Sequence, residues 1–368
     1  MEEKNIQKII NAKFEAIELP LIRESKSKEW ILFGEQNLYP QKMIQLYQES
    51  AIHNTAVEVI AYNIFGQGIE VIGNNVINGL QETINDIFEK VSLDYTLFKG
   101  FSLNIIWSKD GTKIAEIYHL PFNNVRSGKM DEDDVVDTYF YSTDWADVRK
   151  SKPTSYKAFD PTDTKGENAS QIMYYFTYTP GNDFYPLPDY VGAVNDIDLD
   201  ARIAKFHNAN ISNGLAPSMF IKFRNGVPSP EARYELYKEI EQSFTGETNA
   251  GRFFLSFSEP GREMEVEPIQ NTNDQYYITL DERITSRILT AHKITSPLLL
   301  GIKVSGDGFS SNADEIEVAY AHFEGTVITP KRRKILNQLK YILTFMGYNI
   351  NLTVQPNKII VKNTTNDI

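Results

Sequence analysis

Residues 189–212 read DYVGAVNDIDLDARIAKFHNANIS, and the fold turns on how this stretch packs. Wound at about 100° per residue, it puts Leu199, Ile203 and Phe206 on one face and Ala193, Val194, Ile197, Ala201 and Ala204 on another. Asn195, Asp198, Arg202 and Lys205 fill one gap between these faces, and Asp196, Asp200 and His207 fill the other. A surface helix of a globular protein carries one apolar stripe. Two stripes predict a helix packed on both sides, as a stave is packed in a barrel. A helix between two layers of one chain gives the same pattern, and the segment alone leaves both open.

Upstream, Tyr185-Pro186-Leu187-Pro188 breaks the chain ahead of this helix. The first thirty-nine residues read as irregular and polar. A helix is expected from Pro40, a residue suited to the first helical position, to about Ile64. Ile44, Tyr47, Ala51, Val57, Ile60 and Ile64 recur at helical spacing, and Gly66 stops it. A second helix is expected over about Val76 to Phe98, with Leu80, Ile84, Ile87, Phe88 and Val91 on one face. Leu103–Trp107 and Lys113–Leu120 then flank Lys109-Asp110-Gly111-Thr112, a tight-turn signal for a hairpin. From Asp131 to Asn182 the chain reads as strands and loops, with aromatic strands at 138–141 and 173–178.

Downstream of Asn213-Gly214 comes a β-α-β pattern. Met219–Phe223 and Arg252–Phe257 read as its strands. Between them, Ser229-Pro230 supply an N-cap and first-turn proline for a helix lined by Tyr237, Ile240 and Phe244. This unit is inserted between long helices, because another helix follows from about Gln275 to Lys293, striped by Leu280, Ile284, Ile288 and Ala291. A glycine-rich break at 301–308 leads to a helix near 311–324. A last helix opens at Thr329-Pro330 and runs to about Phe345, followed by a strand around 351–354.

The chain of 368 residues carries 37 basic and 49 acidic residues, net −12. Affinity for duplex DNA comes mainly from neutralising phosphates with cations, so this balance argues against a monomer that grips DNA. With no cysteine, disulfide scaffolds, cysteine zinc sites and thiol nucleophiles are excluded. No membrane-length apolar run and no secretory leader are read. Gly306-Asp307-Gly308 lacks the lysine of a phosphate loop. His53, His119, His207, His292 and His322 fall in no compact metal-ligand spacing and are expected to be structural or surface residues. Asp196, Asp198 and Asp200 imitate a calcium loop, but Ala201 and His207 stand where glycine and glutamate are needed. The acidic run 131–134 reads as an exposed turn. Lys331-Arg332-Arg333-Lys334 oppose the dipole of a helix N-terminus; an acidic partner surface and a solvated charge run account for them equally. No catalytic residues, metal site or cofactor is expected.

Four motifs in order carry a family resemblance. They are Ile60-Ala61-Tyr62-Asn63-Ile64-Phe65-Gly66-Gln67-Gly68; Tyr185-Pro186-Leu187-Pro188 leading to Phe206-His207-Asn208-Ala209-Asn210-Ile211-Ser212-Asn213-Gly214; Gly246-Glu247-Thr248-Asn249-Ala250-Gly251-Arg252 before an apolar strand; and Ile294-Thr295-Ser296-Pro297-Leu298-Leu299-Leu300-Gly301 before a helix with Phe323 and then Pro330. From about residue 40 to residue 345 the chain resembles the portal proteins of tailed bacteriophages. The resemblance implies an α+β portal fold. Residues 1–39 would be an N-terminal segment, 40–188 a wing, 189–213 the first stem helix, 214–265 an inserted β-α-β clip and 266–300 the second stem-helix region. Residues 301–311 would be a tunnel loop, 312–348 inner-wing and crown helices, and 349–368 a strand returning to the wing and a tail. Because the sequence ends soon after Val361, no extended C-terminal crown or barrel is expected.

The same resemblance implies a non-enzymatic ring, typically of twelve copies, at one capsid vertex, assembled in the host cytoplasm. Its channel would pass double-stranded DNA, without sequence preference, in packaging and ejection. Its further partners would be the large terminase subunit, a head-tail adaptor and the major capsid protein. Lys303, Val304, Ser305, Gly306, Asp307 and Gly308 would line the tunnel. Val194, Ile197, Leu199, Ala201, Ile203 and Phe206 would form the stem contacts between subunits, and Arg224, Asn225, Gly226, Asn249 and Arg252 would lie on the docking clip. Twelve copies would carry a formal charge of about −144, keeping DNA from adhering to the bore. The rival readings are another virion component, such as a capsid or tail-adaptor subunit, and a DNA-processing enzyme, which would need clustered carboxylates or a phosphate loop.

Overall fold

In a computed structural model, the structure describes residues 19–70 apart from 21 and 26, then 76–212, 219–223, 253–257, 265–268, 274–301, 313–348 and 352–357, with six positions between 229 and 238. Strands β1 (Ile22–Arg23) and β2 (Leu32–Phe33) pair antiparallel, so the stretch before residue 39 is not wholly irregular. The single helix expected over 40–64 is two, α1 (Tyr39–Glu49) and α2 (Ala51–Phe65). Ser50 divides them. Its backbone is extended, its N–H closes the last turn of α1 on the Leu46 carbonyl, and its hydroxyl accepts the His53 N–H at 3.2 Å. One serine thus ends one helix and N-caps the next. Gly66, at φ 60 and ψ −131, stops α2 as expected.

Helix α3 (Ile84–Phe98) starts eight residues later than the apolar spacing suggested. Thr83 and Asp86 form a reciprocal capping box there. Leu80, counted into the helical stripe, is 71% exposed in the preceding turn. The expected hairpin follows as β3 (Gly100–Trp107) and β4 (Ile114–Leu120), in antiparallel register with Ile105 opposite Ile117. In its turn the Asp110 carboxylate accepts the Ser108 hydroxyl at 2.6 Å and the Thr112 N–H at 3.1 Å. Strands β5 (Val125–Ser127), β6 (Thr138–Tyr141), β7 (Thr154–Ala158) and β8 (Ser170–Phe176) complete a six-stranded sheet of order β4-β3-β8-β7-β6-β5, parallel only between β7 and β8. Arg126 in β5 is fully buried, and burial depresses its pKa to about 10. It donates to Asn37, Gln41 and the Asn123 and Val125 carbonyls, so hydrogen bonds replace a counter-ion.

The long helix α4 (Val194–Ser212) follows a 3₁₀ turn at Val191–Ala193. Beyond it, β9 (Met219–Phe223) pairs parallel with β10 (Phe253–Phe257), the relation a β-α-β unit requires, and the Ser229 hydroxyl accepts the Ala232 N–H at 3.3 Å, as expected of an N-cap. A third strand, β11 (Glu265–Pro268), pairs antiparallel with β9 and was not foreseen. Helix α5 (Asp274–Ala291) comes next, then a 3₁₀ turn at Pro297–Leu300.

Helices α6 (Ala313–Phe323) and α7 (Thr329–Phe345), expected as separate, are one run joined by a π-helical turn at Glu324–Ile328. Pro330 has no N–H for the Thr326 carbonyl, so the ladder is already interrupted where the π turn takes up its extra residue. The strand expected near 351–354 is seen as an isolated bridge between Val354 and Ile69, and residue 351 lies outside the described residues.

By contacts the chain divides into residues 1–195 with 288–368, and residues 196–287. The core of the first unit joins Ile60 and Ile64 of α2, Phe88 and Val91 of α3, Leu103 and Ile105 of β3, and Ile335, Leu339 and Ile342 of α7. Burying each such side chain contributes roughly 1.5–3 kcal/mol.

Candidate functional site

Ala193 at the end of the 3₁₀ turn and Val194, Ile197 and Ala201 of α4 form one stripe, buried at 2, 4, 0 and 2% exposure. It stops there, since Ala204 is exposed. Leu199 and Ile203, on the other expected stripe, are half-buried. Phe206 belongs to the same helix, with its side chain outside the described residues. On α5, Ile284 and Ile288 are buried and Leu280 and Ala291 half-buried, the stripe expected of them.

The aspartates of α4 do not converge on an ion. Asp198 holds Arg202 at 2.5 Å across one helical turn. Asp196, only 9% exposed, lies 3.3 Å from Arg287 of α5. Among the described residues no group of three His, Asp or Glu side chains could hold a metal ion.

Within the first unit, the residues just before α4 and just after α5 are held together by a polar cluster that sequence spacing did not reveal. Asp189 pairs with Lys331 of α7 and, at 3.4 Å, with Lys99 at the end of α3. Burial alone would raise the Asp189 pKa, but Lys331, Lys99 and Lys293 outweigh it and hold it down at about 2. Lys331 is pulled down chiefly by burial, with Asp189 opposing. Both pKa values fall, the carboxylate's in the sense that favours the ion pair and the ammonium's against it, because burial outweighs Asp189 at Lys331 and the cations Lys293 and Lys99 add to it.

Tyr190 donates to the Leu97 carbonyl at 2.7 Å and stacks on His292, with ring centroids 5.0 Å apart. His53 of α2 meets the edge of the same tyrosine, and its Nδ1 lies 2.9 Å from His292 Nε2. Burial, with the neighbouring imidazole second, lowers the His53 pKa to about 2. Burial, then Lys331, lowers that of His292 to about 3, against an upward pull from Asp189. Both rings are therefore neutral in the folded chain, one donating to the other. These two have the structural role expected of them, and the side chain of His207 lies outside the described residues. The pairing across 239 positions had no local signal.

The basic run divides. Lys331 is taken by Asp189; Arg332 is buried and donates to the Glu324 carboxylate at 2.7 Å and to the Asn63 and Ile64 carbonyls. Only Arg333 and Lys334 of the four are exposed. The acidic partner for half of the run is thus internal, and the π turn leaves α7 no free N-terminus whose dipole they could oppose. The acidic run 131–134 is the exposed turn expected, with the Asp131 carboxylate accepting the Asp133 and Val135 N–H groups at 2.9 Å. His119 pairs with Asp94 at 2.8 Å. Lys303, Val304, Ser305, Gly306, Asp307 and Gly308, and Arg224, Asn225, Gly226, Asn249 and Arg252, lie outside the described residues. No described helix is long and apolar enough to cross a membrane.

With this architecture in view, the chain shares its fold with chains of a gene transfer agent particle. It matches a chain in the virion of a native gene transfer agent particle at a TM-score of 0.58, with 18% identity, over 86% of this chain and 83% of that one. More particularly, it matches a chain in the neck of the native particle, computed with C12 symmetry, at a TM-score of 0.56 and 19% identity, over 85% and 84% of the two chains. A likeness at a TM-score of 0.45, too slight to define a fold, is to an HK97-family phage portal protein from Corynebacterium diphtheriae, with 11% identity over 74% of this chain and 84% of the other. In sequence the chain is 26% identical over 328 residues to an uncharacterized protein of Rickettsia bellii (strain RML369-C), covering 84% of this chain and 78% of that protein. It is 29% identical over 153 residues to one of Rickettsia felis (strain ATCC VR-1525 / URRWXCal2), covering 41% and 38%. No family model matches the chain.

Proposed function

We propose that this chain is a portal subunit, a non-enzymatic component that closes with copies of itself into a ring through which double-stranded DNA enters and leaves a viral capsid. The observation that carries the reading is the fold shared with a particle-neck chain along about five-sixths of both chains. The four ordered sequence motifs, 60–68, 185–214, 246–252 and 294–330, point the same way.

In this reading α4 and α5 are the stem. Val194, Ile197 and Ala201 fasten α4 by burial, while the half-buried Leu199 and Ile203, with Phe206, are the side offered to the next copy. A head-to-tail contact of this kind closes a ring when its rotation divides the circle. The cluster around Asp189, Tyr190 and His292 holds the two ends of the stem pair in the wing. Residues 214–265 are the clip that docks the large terminase subunit and the head-tail adaptor, and 301–311 are the tunnel loop. The major capsid protein surrounds the ring at its vertex.

Replacing Ile203 and Phe206 together with glutamate places two charges on the proposed contact. Mass photometry of the purified protein is expected to show the parent as a ring of roughly half a megadalton and the Ile203→Glu/Phe206→Glu variant as free subunits with an unchanged thermal melt. Rings of the parent's mass in the variant would remove α4 from the contact.

A further inference from the structure

From Gly325 to Asn366 the sequence contains no aspartate or glutamate and seven lysines and arginines, in a chain whose net charge is −12. Five of these cations lie on α7, and two of the five are used internally, Lys331 on Asp189 and Arg332 on Glu324. The other three, Arg333, Lys334 and Lys340, are exposed and form no ion pair among the described residues. Arg333 and Lys340 stand seven residues apart, two turns and roughly 10 Å along one side of the helix.

Beyond the first turn of α7 the exposed residues are Arg333, Lys334, Asn337, Lys340, Tyr341 and Thr344. Every one is a residue type that donates hydrogen bonds to phosphate oxygens, although the Thr344 hydroxyl also donates to the Tyr341 carbonyl of its own helix at 2.6 Å. No aliphatic side chain interrupts the strip. The buried centre of a protein–protein interface is apolar and depleted in lysine, so this composition fits a polyanion better than a second protein surface.

We propose that the exposed face of α7 is a contact strip for the phosphate backbone of duplex DNA, read without base specificity. The proposal deepens the portal reading and rests on it. Three exposed cations on one helix give a weak, salt-sensitive hold on a phosphate backbone. With three phosphates neutralised, affinity falls about 40-fold between roughly 50 and 200 mM salt.

The test uses the full chain and a fluorescein-labelled random-sequence duplex of about 40 base pairs, followed by fluorescence anisotropy across that salt range. The parent is expected to bind with the stated salt dependence. The triple variant Arg333→Gln/Lys334→Gln/Lys340→Gln is expected to bind at least tenfold more weakly with most of that dependence gone, and Arg333→Lys/Lys334→Arg/Lys340→Arg to bind as the parent does. Circular dichroism melts check that the variants fold, and mass photometry on the same samples reports rings independently. A parent that forms rings but does not bind duplex at the lowest salt overturns the strip and leaves the ring reading standing. Unchanged binding in the glutamine variant overturns it too, and if that variant also loses its rings the face belongs to a second copy. Duplex binding lost with the three cations, in a parent that forms no rings, upholds the strip and overturns the ring.

Discussion

His53 Nδ1 lies 2.9 Å from His292 Nε2, with the ring of Tyr190 packed against both. Helix α2 and the turn that follows α5 are joined there by a hydrogen bond that needs at least one of the two imidazoles to be neutral. His53 Nε2 has no hydrogen-bond partner among the described residues, so a proton added there would be buried without compensation.

The first prediction is an acid sensitivity whose sign follows from these depressed pKa values. The unfolded chain takes up protons at both histidines as pH falls through about 6.5, while the folded chain holds them off until about 2 and 3. Stability is therefore unaffected by the pair above pH 6.5 and declines below it, by up to about 1.4 kcal/mol per pH unit for each ring. Urea titrations at pH 7 and pH 5 are expected to show this decline in the parent and a flatter dependence in His53→Asn/His292→Gln. Equal slopes would mean that the pair is not excluded from protonation.

A second prediction concerns Arg332. Replacing it with methionine keeps the bulk of the side chain, takes its donors from the Asn63 and Ile64 carbonyls, and leaves the Glu324 carboxylate with the Thr329 hydroxyl but no cation. Breaking a buried pair from one side costs about 3–5 kcal/mol. Chemical denaturation is expected to show a loss in that range for Arg332→Met, with the π turn at 324–328 losing hydrogen-exchange protection. A loss under about 1 kcal/mol would assign the turn to Pro330 alone.

Gly66 supports a third. Its φ of 60 with ψ −131 is open to glycine and strained for any other residue, and a Cβ there would meet the Gln355 carbonyl oxygen at 2.6 Å. Gly66→Ala is expected to destabilise by about 1–3 kcal/mol and to loosen the bridge between Ile69 and Val354. A melt within error of the parent would show that the 352–357 segment gives way at no cost.

How far the fold could be read in advance depended on where its causes lie. The β3–β4 hairpin was legible because alternation and the Asp110-Gly111 turn are local. The parallel β9–β10 pair was legible because a capped helix separates two apolar strands. Strand β11 was not, since Glu265-Val266-Glu267-Pro268 offers one apolar side chain between carboxylates and is a strand only by pairing with β9. Apolar spacing ran through Ser50 and began too early at Val76 because it counts side chains and ignores caps. Ser50, and Thr83 with Asp86, were the available signals. The π turn hides from a 3.6-residue period by adding a residue to it, and Pro330 read instead as a fresh start. The stripe from Ala193 into α4, as far as Ala201, was legible as a buried face. The Asp189–Lys331 and His53–His292 contacts were not, because they join segments 142 and 239 positions apart.

Whether copies of this chain close around a hole is visible in negative-stain images of the purified protein. Annular end-on views with a stain-filled centre, of one diameter and one rotational symmetry, are expected. A field of compact monomers at near-physiological salt, with or without added duplex, would contradict the ring.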